Sequence, residues 1–146
     1  MTTLADQLRA EEGERASAYQ DSLGYWTIGV GRLIDARKGG RLRSNEIDFM
    51  LTNDIEEKTG EVLAAFPWAA GLDPARQAVL IGMAFQMGVH GLASFTSMLK
   101  AAQAGDWAKA ADEMMTSLWA KQTPHRAQRL HDQLITNEWQ LPPGTR

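Results

Sequence analysis

Glu12, Asp21 and Thr27 are the residues whose types and spacing could carry a reaction in this chain. Glu12 falls in the last turn expected for a first helix, Asp21 opens a turn, and Thr27 lies on the strand that follows. A helix end, a strand and a turn in succession bring two carboxylates to opposite sides of one groove. Hydrolysis of a glycosidic bond uses such a pair: one acid protonates the leaving oxygen, and the other carboxylate activates water or attacks carbon. Their surroundings must separate their pKa values, with a drier site for the acid. The Thr27 hydroxyl would face Asp21 and hold a water. Taken singly, a helical Glu or a turn Asp is usually just solvated, so the surrounding sequence has to decide.

The elements that must position these residues can be read from periodicity and breakers. Residues 3–12 form a short helix with Thr2 or Thr3 as N-cap, Leu4 and Leu8 one turn apart, and Gly13 as the stop. Arg15–Gln20 and Tyr25–Val30 read as strands joined by Asp21-Ser22-Leu23-Gly24, and Arg32-Leu33-Ile34 as a third short strand. Residues 35–43 make a polar loop with Gly39-Gly40 at its tip. From Ser44 the period becomes helical for about 20 residues, some 30 Å, with Ile47, Met50, Leu51, Ile55, Val62 and Leu63 on one face. Asp54 shares that face and needs a partner. Asp73-Pro74 caps a nearly all-apolar helix to Met87, broken by Gly88 to Gly91. Helices over 93–104, 107–115 (capped by Asp106), 117–121 and 124–136 follow, and the Pro142-Pro143 tail is expected to fray.

The fold class is therefore α+β and predominantly helical: a small antiparallel β lobe over about 14–55, a long connecting helix, and a helical lobe of 1–13 plus about 56–146. All of it forms a single domain of residues 1–146 with the active-site cleft between the lobes. Composition excludes several functions. The 146 residues carry 15 basic and 18 acidic side chains, a formal charge of −3, against nucleic-acid binding. With no cysteine, disulfides and thiolate chemistry are ruled out. His90, His125 and His131 lack metal-ligand spacing, so no metal and no cofactor are expected. Gly29-Val30-Gly31 lacks the third glycine of a dinucleotide loop and reads as a tight bend. Basic residues cluster in the front loop (Arg32, Arg37, Lys38, Arg41, Arg43) and near the last helix (Lys121, His125, Arg126, Arg129, His131), each read as a solvated surface. Trp26 either backs the sheet or lines the groove. The apolar run Ala78–Phe85 is far shorter than the roughly 18 residues of a membrane span. The N-terminus has no signal-peptide core.

Three ordered blocks sharpen this reading. Leu8-Arg9-Ala10-Glu11-Glu12-Gly13, Tyr19-Gln20-Asp21 and Gly24-Tyr25-Trp26-Thr27-Ile28-Gly29-Val30-Gly31 form the first. Ala84-Phe85-Gln86-Met87-Gly88 and Trp119-x-x-Gln122-Thr123-Pro124-x-Arg126-Ala127 follow in order. With them the chain resembles the phage-type lysozymes of glycoside hydrolase family 24, over residues 4 to 139. The resemblance implies a lysozyme-like fold, with Glu12 as general acid, Asp21 directing the water and Thr27 helping to place it, and an inverting reaction. It also implies Arg126 paired with Glu12, where its charge would depress the acid's pKa and burial would have to compensate. Leu33, Phe85 and Gln122 match positions near bound sugar. The implied substrate is peptidoglycan, cut between N-acetylmuramic acid and N-acetylglucosamine.

Three departures carry expectations of their own. Arg32 stands where the family often has a histidine paired with an acid matching Asp54, so an Arg32–Asp54 salt bridge is expected. The short 35–43 loop implies a reduced sheet. Leu23 and Leu118 replace an acid and an arginine that bridge the cleft mouth in some relatives, implying an uncharged contact there. The resemblance further implies a monomeric endolysin, held in the host cytoplasm until a holin opens the way to the wall. Two other readings stay open: a lytic transglycosylase, disfavoured by Asp21 and Thr27, and a non-catalytic protein that disrupts wall or membrane through its last helix.

Overall fold

The computed structural model describes residues 3–30, 32–34 and 40–145. By its internal contacts the chain divides into two compact units, Met1–Leu51 and Thr52–Arg146. The first holds helix α1 (Leu4–Glu12) and strands β1 (Arg15–Gln20), β2 (Trp26–Gly29) and β3 (Arg32–Leu33). This division puts α1 with the sheet, whereas the sequence reading assigns residues 1–13 to the helical lobe. Thr3 is the N-cap of a full capping box: its hydroxyl accepts from Asp6 N at 3.2 Å while Asp6 Oδ2 accepts from Thr3 N at 2.8 Å. The Asp6 carboxyl is held below its ordinary value by the backbone N–H and hydroxyl of Thr3. At the other end the Arg9–Glu14 ion pair, 2.9 Å, spans the short step from α1 into β1.

The strands form one antiparallel sheet in the order β1-β2-β3, as the sequence indicates. Tyr19 and Leu33 lie opposite Thr27 on its two sides, and the β1–β2 register is irregular between Arg15 and Tyr19. Of the polar loop, residues 35–39 lie outside the described residues. Helix α2 (Ser44–Ala65) runs across the division between the units. Its expected apolar face is only partly buried. Val62 reaches the core of the second unit, whereas Ile47, Met50, Leu51 and Ile55 are all at least 45% exposed.

The second unit is helical. A 3-10 turn (Pro67–Gly71) precedes α3 (Pro74–Ala93), α4 (Thr96–Gln103), α5 (Trp107–Met115), α6 (Leu118–Gln122) and α7 (Pro124–Thr136). Together with the sheet they make a predominantly helical α+β chain. The core is built on α3, with Val79, Leu80, Met83 and Ala84 buried against Met98, Met114 and Leu134. Alanines at 101, 102, 110 and 111 are buried too, and such small side chains allow α4 and α5 close approach. Trp68, Trp107 and Trp119 pack against this core, whereas Trp139 is 60% exposed.

One helix start differs from the sequence reading. Asp73 makes no side-chain cap bond at the start of α3, because its Oδ2 accepts from Asn137 Nδ2 at 2.8 Å instead. Asn137 ends α7 in the left-handed conformation, φ 58°. Arg76 donates to the carbonyls of Leu134 (2.8 Å) and Ile135 (3.1 Å), and Gln133 Nε2 to Ala75 O at 2.7 Å. The Arg76 bonds satisfy carbonyls that a helix C-terminus leaves open, and all three bonds fasten the end of α7 to the start of α3. Just ahead of the tail, Gln140 N donates to Gln133 Oε1 at 3.2 Å.

The break in α3 is narrower than expected. Only Gly88 leaves helical geometry, at φ 78° and ψ 165°, and the helix resumes to Ala93. That backbone region is essentially restricted to glycine. Gly91 is needed for space, because a Cβ there would meet Met87 Cγ at 2.8 Å. Gly60 on α2 has neither constraint, since a Cβ there would meet nothing within 4 Å. Gly88→Ala should cost about 1–3 kcal/mol, while Gly60→Ala should add about 0.4–1 kcal/mol. Denaturant titration of the two variants checks both signs.

Candidate active site

Asp21 begins the β1–β2 connection, and its own turn holds it. Its backbone carbonyl accepts from Gly24 N at 3.0 Å, with Gly24 at φ 83°, the combination of Asp first and Gly last that the sequence suggests. Its carboxylate Oδ1 accepts from Leu23 N and from Tyr25 N, both at 2.9 Å. Oδ2 has no partner among the described residues, so the two oxygens are unequal. One is bound into the turn and the other is not.

Thr27 is 6% exposed, the buried polar residue of the sheet. Its hydroxyl donates to Tyr25 O at 3.3 Å, and that carbonyl also accepts from Asp21 N at 2.9 Å. The peptide groups of Tyr25 therefore anchor both residues. The hydroxyl's proton is used, while its lone pairs can still accept a hydrogen bond. Leu33, 43% exposed, is the cross-strand partner of Thr27, so their side chains share a sheet face. Asp21, Thr27 and Leu33 are thus brought together in the first unit. Trp26 alternates to the opposite face from Thr27 and so backs the sheet.

Glu12 is the last residue of α1, where the sequence puts it; its side chain lies outside the described residues. Arg126 sits in the first turn of α7 and donates from Nη2 to Gly82 O at 3.3 Å. Phe85 on α3 is 45% exposed, and Gln122, the exposed last residue of α6, lies at the turn into α7. Next to Phe85, Gln86 Oε1 accepts from Trp119 Nε1 at 3.0 Å, which links α3 to α6 within the second unit. Leu23 and Leu118 are 70% and 68% exposed. In the basic cluster near the last helix, His131 lies 2.9 Å from Asp132 and 3.3 Å from Asp112.

The expected Arg32–Asp54 pair is replaced by another. The Arg32 guanidinium pairs with Glu46, on the first turn of α2. Asp54 lies two turns further along that helix, about 12 Å at 1.5 Å per residue, and acts on Lys58 of its own helix. Glu46 also accepts from Arg43 N at 2.8 Å and Arg43 Nη2 at 2.9 Å. A Glu three residues after the residue that enters a helix is the signal that could have identified it, since that spacing caps the entry N–H.

Arg43's guanidinium and backbone N–H, with Arg32's guanidinium, hold the Glu46 carboxyl down to about 2, from an ordinary 4.5. A depressed folded-state pKa stabilises above the unfolded value and ceases to do so as pH falls through the folded one. The Glu46 contribution should therefore be complete above pH about 4.5 and lost towards pH 2. Urea titrations between those limits should show a shallower acid limb for Glu46→Gln than for the parent, and Arg32→Ala should move the Glu46 titration upward by NMR.

Residues 9–133 match the phage lysozyme family. The chain is 30% identical to probable T4-type lysozyme 1 of Dictyostelium discoideum, over 89% of this chain and 92% of that one. Probable T4-type lysozyme 2 of the same organism is 28% identical with the same coverage. The pre-baseplate central spike protein Gp5 of Enterobacteria phage T4 is 33% identical over 92% of this chain, which spans 28% of that longer protein. The matched span runs past Glu12, Asp21, Thr27, Leu33, Phe85, Gln122 and Arg126 in the sequence. A three-stranded antiparallel sheet followed by helices, and a family match over most of its length, make this chain a member of the phage lysozyme family.

Proposed function

We propose that the protein is a muramidase that hydrolyses the β-1,4 bond between N-acetylmuramic acid and N-acetylglucosamine, with inversion. The observation that carries this reading is the unequal binding of the two Asp21 oxygens beside the anchored Thr27 hydroxyl. A water accepted by the Thr27 lone pairs would present one proton to Asp21 Oδ2 and its own lone pair to the anomeric carbon. Asp21 takes the proton as carbon–oxygen bond formation proceeds, and Glu12 delivers its proton to the departing glycosidic oxygen. Oδ1 stays bonded to two backbone N–H groups, so the carboxylate need not turn during the reaction. Arg126 pairs with Glu12, and Leu33, Phe85 and Gln122 contact sugar. Asp54 takes no part in this scheme, and Arg32 serves by closing the front unit through Glu46.

We further read the protein as a monomeric endolysin for host lysis, reaching peptidoglycan from the cytoplasm once a holin has opened the membrane. The family resemblance is what supports that biological setting.

Digestion of purified peptidoglycan, with products read by mass spectrometry, tests the chemistry. Muropeptides ending in reducing N-acetylmuramic acid are expected, and Glu12→Gln should lower the rate by about 10²–10⁴-fold. Asp21→Asn keeps an acceptor at Oδ1 and should lose activity with little change in stability, whereas Asp21→Ala should cost a further 1–3 kcal/mol or so by freeing two N–H groups. Anhydro products would mean a transglycosylase. No cleavage by the parent, together with lysis of cells, would favour a membrane-disrupting role for the last helix.

A further inference from the structure

The two ring nitrogens of His131 both face acids. This side chain is half-buried on α7, at the seam where that helix packs on α5. Nδ1 lies 2.9 Å from Oδ1 of Asp132, the next residue, and Nε2 lies 3.3 Å from Oδ1 of Asp112 across the seam. Gln128, one turn back on α7, donates from Nε2 to the same Asp132 oxygen at 2.9 Å. Among the described residues no other basic group lies within ion-pair distance of either acid. Arg76, the cation that α3 turns towards α7, is held by the Leu134 and Ile135 carbonyls and the Trp107 ring. Lys109 on α5, Lys121 on α6, and His125 and Arg129 on α7 form no ion pair with the cluster among the described residues.

An ionised carboxylate only accepts, so each of these contacts needs a proton on the nitrogen that makes it. A neutral imidazole carries one. With that proton on Nδ1, the lone pair of Nε2 points at Asp112; with it on Nε2, the lone pair of Nδ1 points at Asp132. Gln128 does not relieve the second case, because its amide is 3.4 Å from Nδ1 and better placed on Asp132. The imidazolium alone donates to both acids. We propose that His131 is a proton-operated clip between α5 and α7, closed while the ring is charged and open once it is neutral. His131 and Gln128 also hold the Asp132 carboxyl below its ordinary value, so the clip survives into stronger acid than a free aspartate would allow. The two ends of its range have opposite signs. The contribution of a carboxylate with a depressed value is lost as pH falls, whereas that of a histidine bonded in its charged form is lost as pH rises through the histidine range, about 5 to 8. The clip is therefore whole in mild acid. Helix α7, whose first turn carries Arg126, is then held to α5 through His131 as well as to α3 through Arg76 and Gln133. The clip would operate whatever reaction the protein catalyses.

Histidine-selective proton and nitrogen NMR of the full chain tests the clip, with His90 and His125 as internal references and His131→Ala giving the assignment. In mild acid both ring nitrogens of His131 should be protonated. Asp112 is 79% exposed, so water weakens its pairing. Asp112→Asn should accordingly lower the proton affinity of His131 only about threefold, moving its titration down by about half a pH unit. Asp132→Asn should move it in the same direction, and neither change should move His90 or His125. A double-mutant cycle of His131→Ala with Asp112→Asn, read by urea unfolding, isolates the bond across the seam. Its coupling should be about threefold in the unfolding constant near pH 5 and absent near pH 8. Titration shifts in the expected direction together with a coupling confined to acid establish the clip. A His131 titration that ignores both aspartate substitutions overturns it, and so does a coupling of equal size at the two pH values.

Discussion

The Asp21 carboxylate accepts two backbone N–H bonds from its own turn, and the first unit is organised around that constraint. The Leu23 and Tyr25 amides fix Oδ1, and the Tyr25 carbonyl fixes both the Asp21 amide and the Thr27 hydroxyl. Two side chains of different chemistry thus share one backbone anchor. A free aspartate on a turn would sample several rotamers. Here the turn leaves one oxygen in a defined position without burying it, so the carboxylate remains able to act as a base. Substitutions that alter the turn should reach both residues at once, because Tyr25 serves both.

The helical unit meets a different requirement. Its core uses alanine for close approach of α4 and α5 and methionine to fill the spaces around α3. Its ends are closed by side chains reaching across to carbonyls, most plainly Arg76 to the end of α7, with the same guanidinium stacked 4.4 Å over the Trp107 ring. With its internal bonds made this way, the unit can present polar residues on its surface. Phe85 and Gln122 occupy such surface.

Much of this is legible in the chain. The Asp-x-x-Gly turn, the strand pattern on either side, and Thr123-Pro124 at the start of α7 have local causes, so local residues announce them. Partners chosen between elements are less accessible. Arg32 meets Glu46 rather than Asp54 because the α2 entry lies nearer, and helical periodicity alone cannot say which turn of a helix a distant side chain meets. Asp73 has the sequence of an N-cap, yet Asn137, 64 residues away, takes its carboxylate. The part played by Tyr25 is silent in the sequence because backbone atoms make it, and residue type does not advertise those.

The central claim is that Asp21 acts through water rather than on carbon. The anomeric configuration of the first-formed reducing N-acetylmuramic acid tests it most directly, followed by proton NMR before mutarotation. Inversion at the β-1,4 bond predicts that the α anomer appears first and then relaxes to the equilibrium mixture. Initial release of the β anomer would mean two displacements at carbon, with Asp21 as nucleophile, and would contradict the account.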